Sequence, residues 1–387
     1  MDARITPFTA SISSSDLDDL KQRLRTTRWP DPEPCEGWDQ GIPLSYVQDL
    51  ARYWADEYDW RKAEATLNQW PQCVVSLTVE DVNYDIHCIH RRATQPDAPA
   101  LILTHGWPGS IFEFHKVIDA LADPENHGGD ASDAYHVIVP SLPGYGFSGK
   151  PAVPGTSVER IADVWDAMMS ALGYERYFAQ GGDWGSIVSC ALALRHPVRC
   201  AGIHLNMVLA PPDPETLENP NEQEIQALGA LDHYSKWDSG YSKQQSSRPQ
   251  TLGYGLADSP VGQLAWIAEK FWAWTDCERD GARNPENAIT RDEILDTVSL
   301  YWLTNSGASS ARLYWESFNT PDMSPISIPV GASRFPKDIF LASERWARKR
   351  FKDLRYWSEP ELGGHFAALE QPDRFIEDLR ACYRLMR

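Results

Sequence analysis

The stretch 181–185, Gly-Gly-Asp-Trp-Gly, places an aspartate between two runs of different hydrophobic pattern. The apolar run 177–179 before it is typical of a buried strand, and the run 186–194 after it is typical of a helix. A sharp turn from strand to helix exposes its central side chain, and small neighbours relieve the crowding of that turn. A carboxylate with an unperturbed pKa of about 3.9 is ionised at neutral pH without a base. The pattern therefore predicts Asp183 as a carboxylate nucleophile.

A second turn could place a backbone donor beside this carboxylate. Residues 105–109, His-Gly-Trp-Pro-Gly, directly follow the apolar run 101–104, which predicts another buried strand. The backbone N–H of Trp107 and that of Trp184, the residue after the nucleophile, would then form an oxyanion hole. Each such donor typically contributes about 2.7–4 kcal/mol to transition-state stabilisation. An ordinary turn after a strand has the same composition, so this assignment depends on the aspartate turn.

Of the ten histidines, His365 has the sequence context of a general base. It follows two glycines, after the apolar run 354–357 and before a helical pattern that starts near Pro372. Paired glycines let the backbone bend, so the imidazole can reach across the end of a sheet. The other histidines are interpreted as structural. His87 and His90, for example, are three apart on a predicted strand and face opposite sides, so they cannot share a metal ion.

An acid after the predicted strand 326–330 completes this set. Asp338, in Phe-Pro-Lys-Asp, can accept the second ring proton of His365 and fix its tautomer. An Asp beside a Lys is usually a solvated partner in an ion pair, but its position between nucleophile and histidine favours the catalytic interpretation. The chain order of nucleophile, acid and histidine is typical of the α/β-hydrolase fold.

Two tyrosines could donate a proton to an oxygen that becomes an alkoxide. Tyr241 lies in Ser-Gly-Tyr and Tyr314 lies in Ala-Arg-Leu-Tyr. A phenol with a pKa of about 10 is neutral at pH 7 and can donate a hydrogen bond or a proton. By composition alone, either tyrosine could equally fill a hydrophobic core.

The elements that must position these residues follow an α/β pattern. Buried strands followed by turns and helical pattern are predicted at 101–104, 136–139, 177–179, around Ile203, at 326–330 and at 354–357. Two alternating runs, 75–79 and 82–88, predict a hairpin that turns at Glu80 and Asp81. The predicted fold is an α/β-hydrolase fold with a mostly parallel central sheet. Its expected parts are an N-terminal wrapping region (1–72), a first core part (73–209), a helical lid (210–320) and a second core part (321–387).

Composition limits the classes of partner. The chain has 387 residues, 42% of them hydrophobic, and a formal net charge of −19. This charge argues against nucleic acid or an anionic membrane as a partner, because both require clustered Lys and Arg. Seven cysteines without paired spacing indicate reduced thiols, and no cofactor or metal site is expected. No leader pattern and no run of eighteen apolar residues occurs, so a cytoplasmic protein without a membrane anchor is expected. The sequence leaves open whether it forms a homo-oligomer.

Several motifs together resemble the microsomal-type epoxide hydrolase family, almost along the whole chain. The motifs are those at 105–109, 181–185 and 335–338, the Gly-Gly-His-Phe-Ala-Ala at 363–368, the Trp-Pro-Asp at 29–31, the Tyr-Asp-Trp-Arg at 58–61 and the Asp-Ser-Pro-Val-Gly at 258–262. The resemblance implies an epoxide and water as substrates. It assigns Asp183 as nucleophile, Asp338 as relay acid, His365 as base, and Tyr241 and Tyr314 as the donors that open the ring. A membrane anchor like that of the mammalian members is not expected from this sequence, so the resemblance is expected to be nearer to soluble microbial or fungal forms.

Three alternatives remain at this stage. A haloalkane or haloacetate dehalogenase also uses an aspartate at this turn, but it needs donors for a halide rather than paired tyrosines. A serine esterase would need serine at position 183, and Ser186 is expected one turn into the helix, facing away. A catalytically silent ligand-binding relative would be expected to lack a member of the triad.

A short aromatic-rich stretch at 266–274 hints at bulky apolar or aryl epoxides, although a helix packed on the core has the same composition.

Overall fold

The computed structural model describes residues 3–318 and 321–387. Its main sheet and a small ribbon contain β1 (Arg4–Phe8), β2 (Gln72–Val79), β3 (Val82–Arg91), β4 (Ala100–Thr104), β5 (His136–Pro140), β6 (Tyr177–Gly181), β7 (Cys200–Leu205), β8 (Glu278–Arg279), β9 (Ala282–Arg283), β10 (Ile326–Ser333) and β11 (Phe351–Ser358). All strands except β8 and β9 form one sheet in the order β1-β2-β3-β5-β4-β6-β7-β10-β11. From β5 to β11 in this order every neighbouring pair is parallel, whereas β1, β2 and β3 pair antiparallel.

Helices cover the sheet and form the lid. They are α1 (Ser14–Arg25), α2 (Leu44–Asp56), α3 (Trp60–Asn68), α4 (Ile118–Ala122), α5 (Val158–Ala171), α6 (Asp183–Arg195), α7 (Glu222–His233), α8 (Gly240–Ser247), α9 (Pro249–Asp258), α10 (Pro260–Trp274), α11 (Arg291–Leu303), α12 (Gly307–Ser317), α13 (Glu344–Arg350), α14 (Ala367–Glu370) and α15 (Pro372–Arg384). Within the described residues, no helix has the length and apolar character needed to cross a bilayer.

The predicted strands all occur in the sheet, and the mostly parallel α/β fold is confirmed. The hairpin of β2 and β3 turns at Glu80 and Asp81, whose φ angles of 43° and 63° suit the tight turn that matches strand twist. Strand β1 was not predicted. It extends the sheet at its edge, and four of its five residues are exposed, so its sequence carries no apolar alternation.

The lid lies between β7 and β10 and consists mainly of α7 to α12. This interval, which the sequence predicts as mainly helical, also contains a two-stranded ribbon formed by β8 and β9. The ribbon strands have two residues each, too short for an alternating pattern to appear in the sequence. The boundaries expected at residues 1 and 320 lie outside the described residues, and the division into four parts remains a proposal.

The N-terminal region contacts the lid through buried polar pairs. The indole Nε1 of Trp54, on α2, donates to Ser299 Oγ of α11 at 2.9 Å. The hydroxyl of Tyr58 donates to Asp296 Oδ1, also on α11, at 2.6 Å. Because β1 pairs with the sheet and these side chains bind α11, the N-terminal region ties the sheet edge to the lid.

Stability is expected to depend on the protonation of Asp296. Burial raises the pKa of Asp296 to about 7. The hydrogen bond from Tyr58 lowers this pKa, whereas the nearby Asp292 and Glu293 raise it further. The folded state therefore binds more protons than the unfolded state, whose aspartate has a pKa of about 3.9. Stability from this group is present below about pH 4 and is lost as the pH rises towards 7.

Asp296→Asn should remove this dependence, since the amide can still accept from Tyr58 but does not ionise. At pH 8 the variant is expected to unfold with a free energy higher than that of the wild type by on the order of 2 kcal/mol, and the difference should vanish near pH 4. Urea unfolding at several pH values measures both quantities. If the free energies of unfolding of the two proteins changed in parallel with pH, the prediction would be wrong.

Candidate active site

Asp183 occupies a strained turn between β6 and α6. Its φ of 49° lies in the left-handed region, which is uncommon for a residue other than glycine. The turn is crowded, because a Cβ on Gly181 would overlap the backbone of Gly185, and a Cβ on Gly185 would overlap the carbonyl of Thr104. Glycine at both positions therefore lets helix and strands approach closely, and strand β6 delivers the Asp183 side chain to the carboxyl end of the sheet.

The loop after β4 approaches the same carboxylate. The backbone N–H of Trp107 donates to Asp183 Oδ1 at 2.8 Å, and a Cβ on Gly106 would overlap the Asp183 side chain. The backbone N–H of Trp184 lies in the first turn of α6, where a helix offers no internal acceptor. The Trp107 donor is thus at the carboxylate, and the Trp184 donor belongs to the helix end beside it.

His365 lies between two carboxylates. Its Nδ1 is 2.7 Å from Asp338 Oδ1, and its Nε2 is 3.3 Å from Asp183 Oδ2. The loops after β10 and β11 bring Asp338 to His365, because the N–H of Lys337 donates to the carbonyl of Gly363 at 3.1 Å. The structure therefore brings together the three side chains that the sequence predicted as nucleophile, acid and base.

The charges on both sides determine the protonation of His365. Burial alone would lower the pKa of its imidazole. The Coulomb attraction of Asp338 and the contact with Asp183 outweigh burial and raise the pKa well above its ordinary value. The two carboxylates therefore favour the imidazolium form of His365, and the loss of one of their charges would lower its pKa.

The two predicted tyrosines lie in the lid above Asp183. Tyr241 belongs to α8 and Tyr314 to α12, and their ring centroids are 5.7 Å apart. The ring of Trp107 stacks on Tyr241 at 4.9 Å, and the ring of Trp184 meets Tyr314 edge-on at 4.8 Å. Burial raises the pKa of both phenols well above the ordinary value, so both are neutral donors at pH 7.

One cavity contains all of the potential reacting groups except His365 and its acid. It has a volume of about 180 Å³ and is lined by Asp183, Trp184, Ile187, Met207, Leu209, Tyr234, Tyr241, Tyr314, Ser317, Phe318, Pro321 and Phe340. Most of this lining is apolar. A second apolar cavity of about 250 Å³ shares Leu209, Pro321 and Phe340 with the first, so the two spaces adjoin.

The sequence does not predict that Glu370 binds the backbone on both sides of His365. The carboxylate of Glu370 accepts from the N–H groups of Gly364 at 3.0 Å, Phe366 at 3.0 Å and Asp276 at 2.8 Å. The N–H of His365 itself donates to the carbonyl of Trp274 at 2.9 Å. The loop that carries the imidazole is therefore bound to the end of α10 in the lid, a pairing of distant segments that no spacing in the sequence reveals.

Other sequence candidates have different roles. The hydroxyl of Ser186 donates to the carbonyls of Gly181 and Met207, so it is occupied away from the cavity. His87 is buried and its ring contacts Ser141 and Gln72 at 3.0 and 2.9 Å. Within residues 3–318 and 321–387, no cluster of three or more His, Cys, Asp or Glu residues could hold a metal ion.

Two family models match the sequence. A model described as the epoxide hydrolase N terminus matches residues 5–114, and the alpha/beta hydrolase fold model matches residues 99–235. The two matches overlap at the loop that carries Trp107. Together they cover the N-terminal region, the start of the sheet, the turn at Asp183 and the first lid helix.

Relatives that match almost the whole of this chain give the same result. A protein of Stigmatella aurantiaca described as a candidate epoxide hydrolase is 50% identical over 386 residues, which are 99% of this chain and 86% of that protein. Epoxide hydrolase 1 of Sus scrofa is 33% identical over 98% of this chain and 88% of its own length. The solved structure of Aspergillus niger epoxide hydrolase superposes with a TM-score of 0.87 at 33% identity, over 99% of this chain and 97% of that one.

Proposed function

Because the chain belongs to the epoxide hydrolase family, we propose that it converts an epoxide into a vicinal diol through a covalent ester on Asp183. Its activity is that of an epoxide hydrolase, and the proposal concerns the mechanism and the residues. The observation that supports it is the arrangement around one cavity, where a carboxylate paired with imidazolium lies below two neutral phenols.

In the first step, a carboxylate oxygen of Asp183 attacks one epoxide carbon. The bond from that carbon to the ring oxygen breaks, and the oxygen takes a proton from Tyr241 or Tyr314. A hydroxyalkyl ester and a phenolate result. Ester formation removes the charge of Asp183, one of the two charges that hold the pKa of His365 high. His365 then releases its proton, and the phenolate regains one.

In the second step, neutral His365 takes a proton from water while the water oxygen attacks the ester carbonyl carbon of Asp183. The N–H groups of Trp107 and Trp184 stabilise the oxyanion that forms. Asp338 keeps the imidazole oriented and stabilises its charged form. The tetrahedral intermediate expels the diol oxygen, which takes the proton from His365 and leaves Asp183 as a neutral carboxylic acid. This acid then gives its proton to His365, so that the Asp183 carboxylate and the His365 imidazolium are both restored.

The lining of the cavity favours an apolar epoxide as the substrate. Its walls around the two phenols are mainly aliphatic and aromatic, and the adjoining cavity is apolar too. Water is the second substrate. A dehalogenase, which shares the aspartate, remains the alternative, but the paired phenols favour an alkoxide over a departing halide. A silent binding relative is disfavoured by the intact set of Asp183, Asp338 and His365.

A panel of substrates tests the reaction class. The purified chain is incubated with aryl and alkyl epoxides and, separately, with haloalkanes and haloacetate, and diol and halide are quantified. Diol from epoxides without halide release from the halogenated compounds is expected. Halide release would support the dehalogenase, and no turnover of any compound would favour the binding protein.

The two tyrosines are expected to share the donation of the proton. Tyr241→Phe and Tyr314→Phe should each slow ester formation by about 10- to 100-fold, because one phenol still contacts the oxygen. The double variant should lose ester formation altogether. Stopped-flow measurements of the first turnover give the rate of ester formation in each variant. Because phenylalanine keeps the aromatic ring, a slower rate reflects the lost hydroxyl and not lost packing. Full activity of the double variant would contradict the assignment.

A further inference from the structure

Lys270 is a buried cation next to the proposed proton donors. It belongs to α10 and is only 6% exposed. Its Nζ lies over the Tyr241 ring, 4.8 Å from the centroid, and 5.4 Å from the centroid of Trp274. Both distances are within the range at which a cation is attracted to an aromatic face. In the part of the chain that the structure describes, no other Lys or Arg side chain lies over the Tyr241 ring.

Two carboxylates hold this ammonium in place. Its Nζ is 2.6 Å from Asp238 Oδ1 and 2.7 Å from Glu269 Oε2. Asp238 also accepts the indole N–H of Trp274, which packs on His365 with ring centroids 5.1 Å apart. Burial of a charge costs free energy even when it is paired, so a hydrophobic side chain could fill this space without that cost. A cation held here at such a cost therefore calls for a reason beyond packing.

We propose that Lys270 is a positioning residue that acts through Tyr241: its ammonium stabilises the negative charge that develops on this phenol during proton transfer to the epoxide oxygen. The inference rests on the proposed function, because it needs the ring-opening step. Lys270 acts on the phenol without contact with the substrate. It makes the phenol a better acid while Asp238 and Glu269 fix the position of the charge.

The surroundings of Tyr241 make such a cation useful. Burial is the largest effect on its pKa and raises it, and Tyr314, Tyr234 and Asp183 raise it further. All of these oppose phenolate formation, so the phenol alone is a weak acid. A neutral ring attracts a cation weakly, whereas a phenolate attracts it strongly, since its charge spreads from the oxygen into the ring. The interaction therefore grows towards the transition state, which is the condition for a gain in rate.

A double-mutant cycle separates this role from a structural one. Lys270→Met and Lys270→Arg are made in the wild type and in Tyr241→Phe, which keeps the ring but lacks the hydroxyl. The rates of ester formation and of ester hydrolysis are measured in single turnovers with styrene oxide. Lys270→Met is expected to slow ester formation by about 10- to 100-fold, with ester hydrolysis changed by less than about threefold.

The cycle predicts two further results. Lys270→Arg should restore ester formation to within about threefold, because guanidinium also binds an aromatic face. In the Tyr241→Phe background, Lys270→Met should change ester formation by less than about twofold, since residue 241 then has no hydroxyl and cannot form a phenolate. The same loss in both backgrounds, or equal losses of both steps, would show a merely structural role and overturn the proposal.

Two controls keep the test conclusive. If Lys270→Met fails to fold, the double variant Lys270→Met/Asp238→Asn leaves no carboxylate of Asp238 unpaired, and its amide oxygen can still accept from Trp274. It should show the same loss of ester formation, and a wild-type rate would overturn the inference. Absence of diol from the wild type and of an ester on His365→Gln, with every epoxide, would instead refute the proposed function. A wild-type ester together with an unchanged Lys270→Met would refute the Lys270 inference alone.

Discussion

Replacement of Asp183 with asparagine is expected to abolish diol formation. Asparagine tolerates the left-handed φ of 49° at this position, so the variant keeps the turn between β6 and α6, whereas alanine would strain it. The amide can still accept from the N–H of Trp107, but it is a far weaker nucleophile than a carboxylate. Removal of the nucleophile should lower the rate by about 10⁴-fold or more.

Diol production by Asp183→Asn is measured with the best epoxide of the panel. Intact mass confirms that the amide has not hydrolysed back to aspartate. Asp232→Ala, which removes an exposed carboxylate paired with Lys236 on the lid, serves as the control and should retain activity. A verified Asp183→Asn variant that turned over within tenfold of the wild type would mean that water, not Asp183, attacks the epoxide.

Replacement of His365 with glutamine is expected to separate the two halves of the reaction. Glutamine can keep a polar contact in the loop that Glu370 binds, but it cannot take a proton from water. Ester formation needs the carboxylate of Asp183 and the tyrosines, so it should continue. Hydrolysis should slow by about 10³- to 10⁴-fold, so the enzyme accumulates as an ester after one turnover.

Intact mass of His365→Gln after exposure to an epoxide detects this species. The expected increase equals the mass of the whole epoxide, and peptide mapping should locate it on Asp183. The control His127→Gln changes an exposed histidine and should turn over without an adduct. Normal steady-state turnover by His365→Gln would contradict the role of His365 as the base.

The sequence predicted those parts of the fold and site that leave a local signal. The turn at Asp183 needs small residues because helix and strand backbones nearly touch there, and this requirement is visible as glycines in the motif. The buried strands are continuous apolar runs, since both of their faces are covered. The resemblance to the epoxide hydrolase family is confirmed by the relatives that span the chain.

Features that depend on contacts between distant segments left no such signal. In the sequence, Glu370 has the context of an ordinary helix residue. Its role becomes visible only in the fold, where it contacts the loop of His365 and the end of α10. In the sequence, Lys270 has the context of a single charge on an amphipathic helix. Only the folded lid brings its ammonium over the ring of Tyr241. Strand β1 is exposed at a sheet edge, so nothing in its pattern distinguishes it from irregular chain.

The site differs in one physical respect from a hydrolase with a serine nucleophile. A serine needs a neutral base in the resting state, whereas the pair of carboxylates here raises the pKa of His365 and favours its charged form. In the proposed mechanism, attack by Asp183 consumes one of these carboxylates, and only then does the imidazole become a base. The same charge change thus ends the first step and enables the second.

The most direct measurement is a single turnover of the wild type in oxygen-18 water with enzyme in excess over epoxide. If Asp183 attacks the epoxide, its own oxygen leaves in the diol and the water oxygen remains in the carboxylate. The ester mechanism predicts an unlabelled diol and a label in the peptide that contains Asp183. Label in the diol from the first turnover, with none in that peptide, would contradict the ester mechanism.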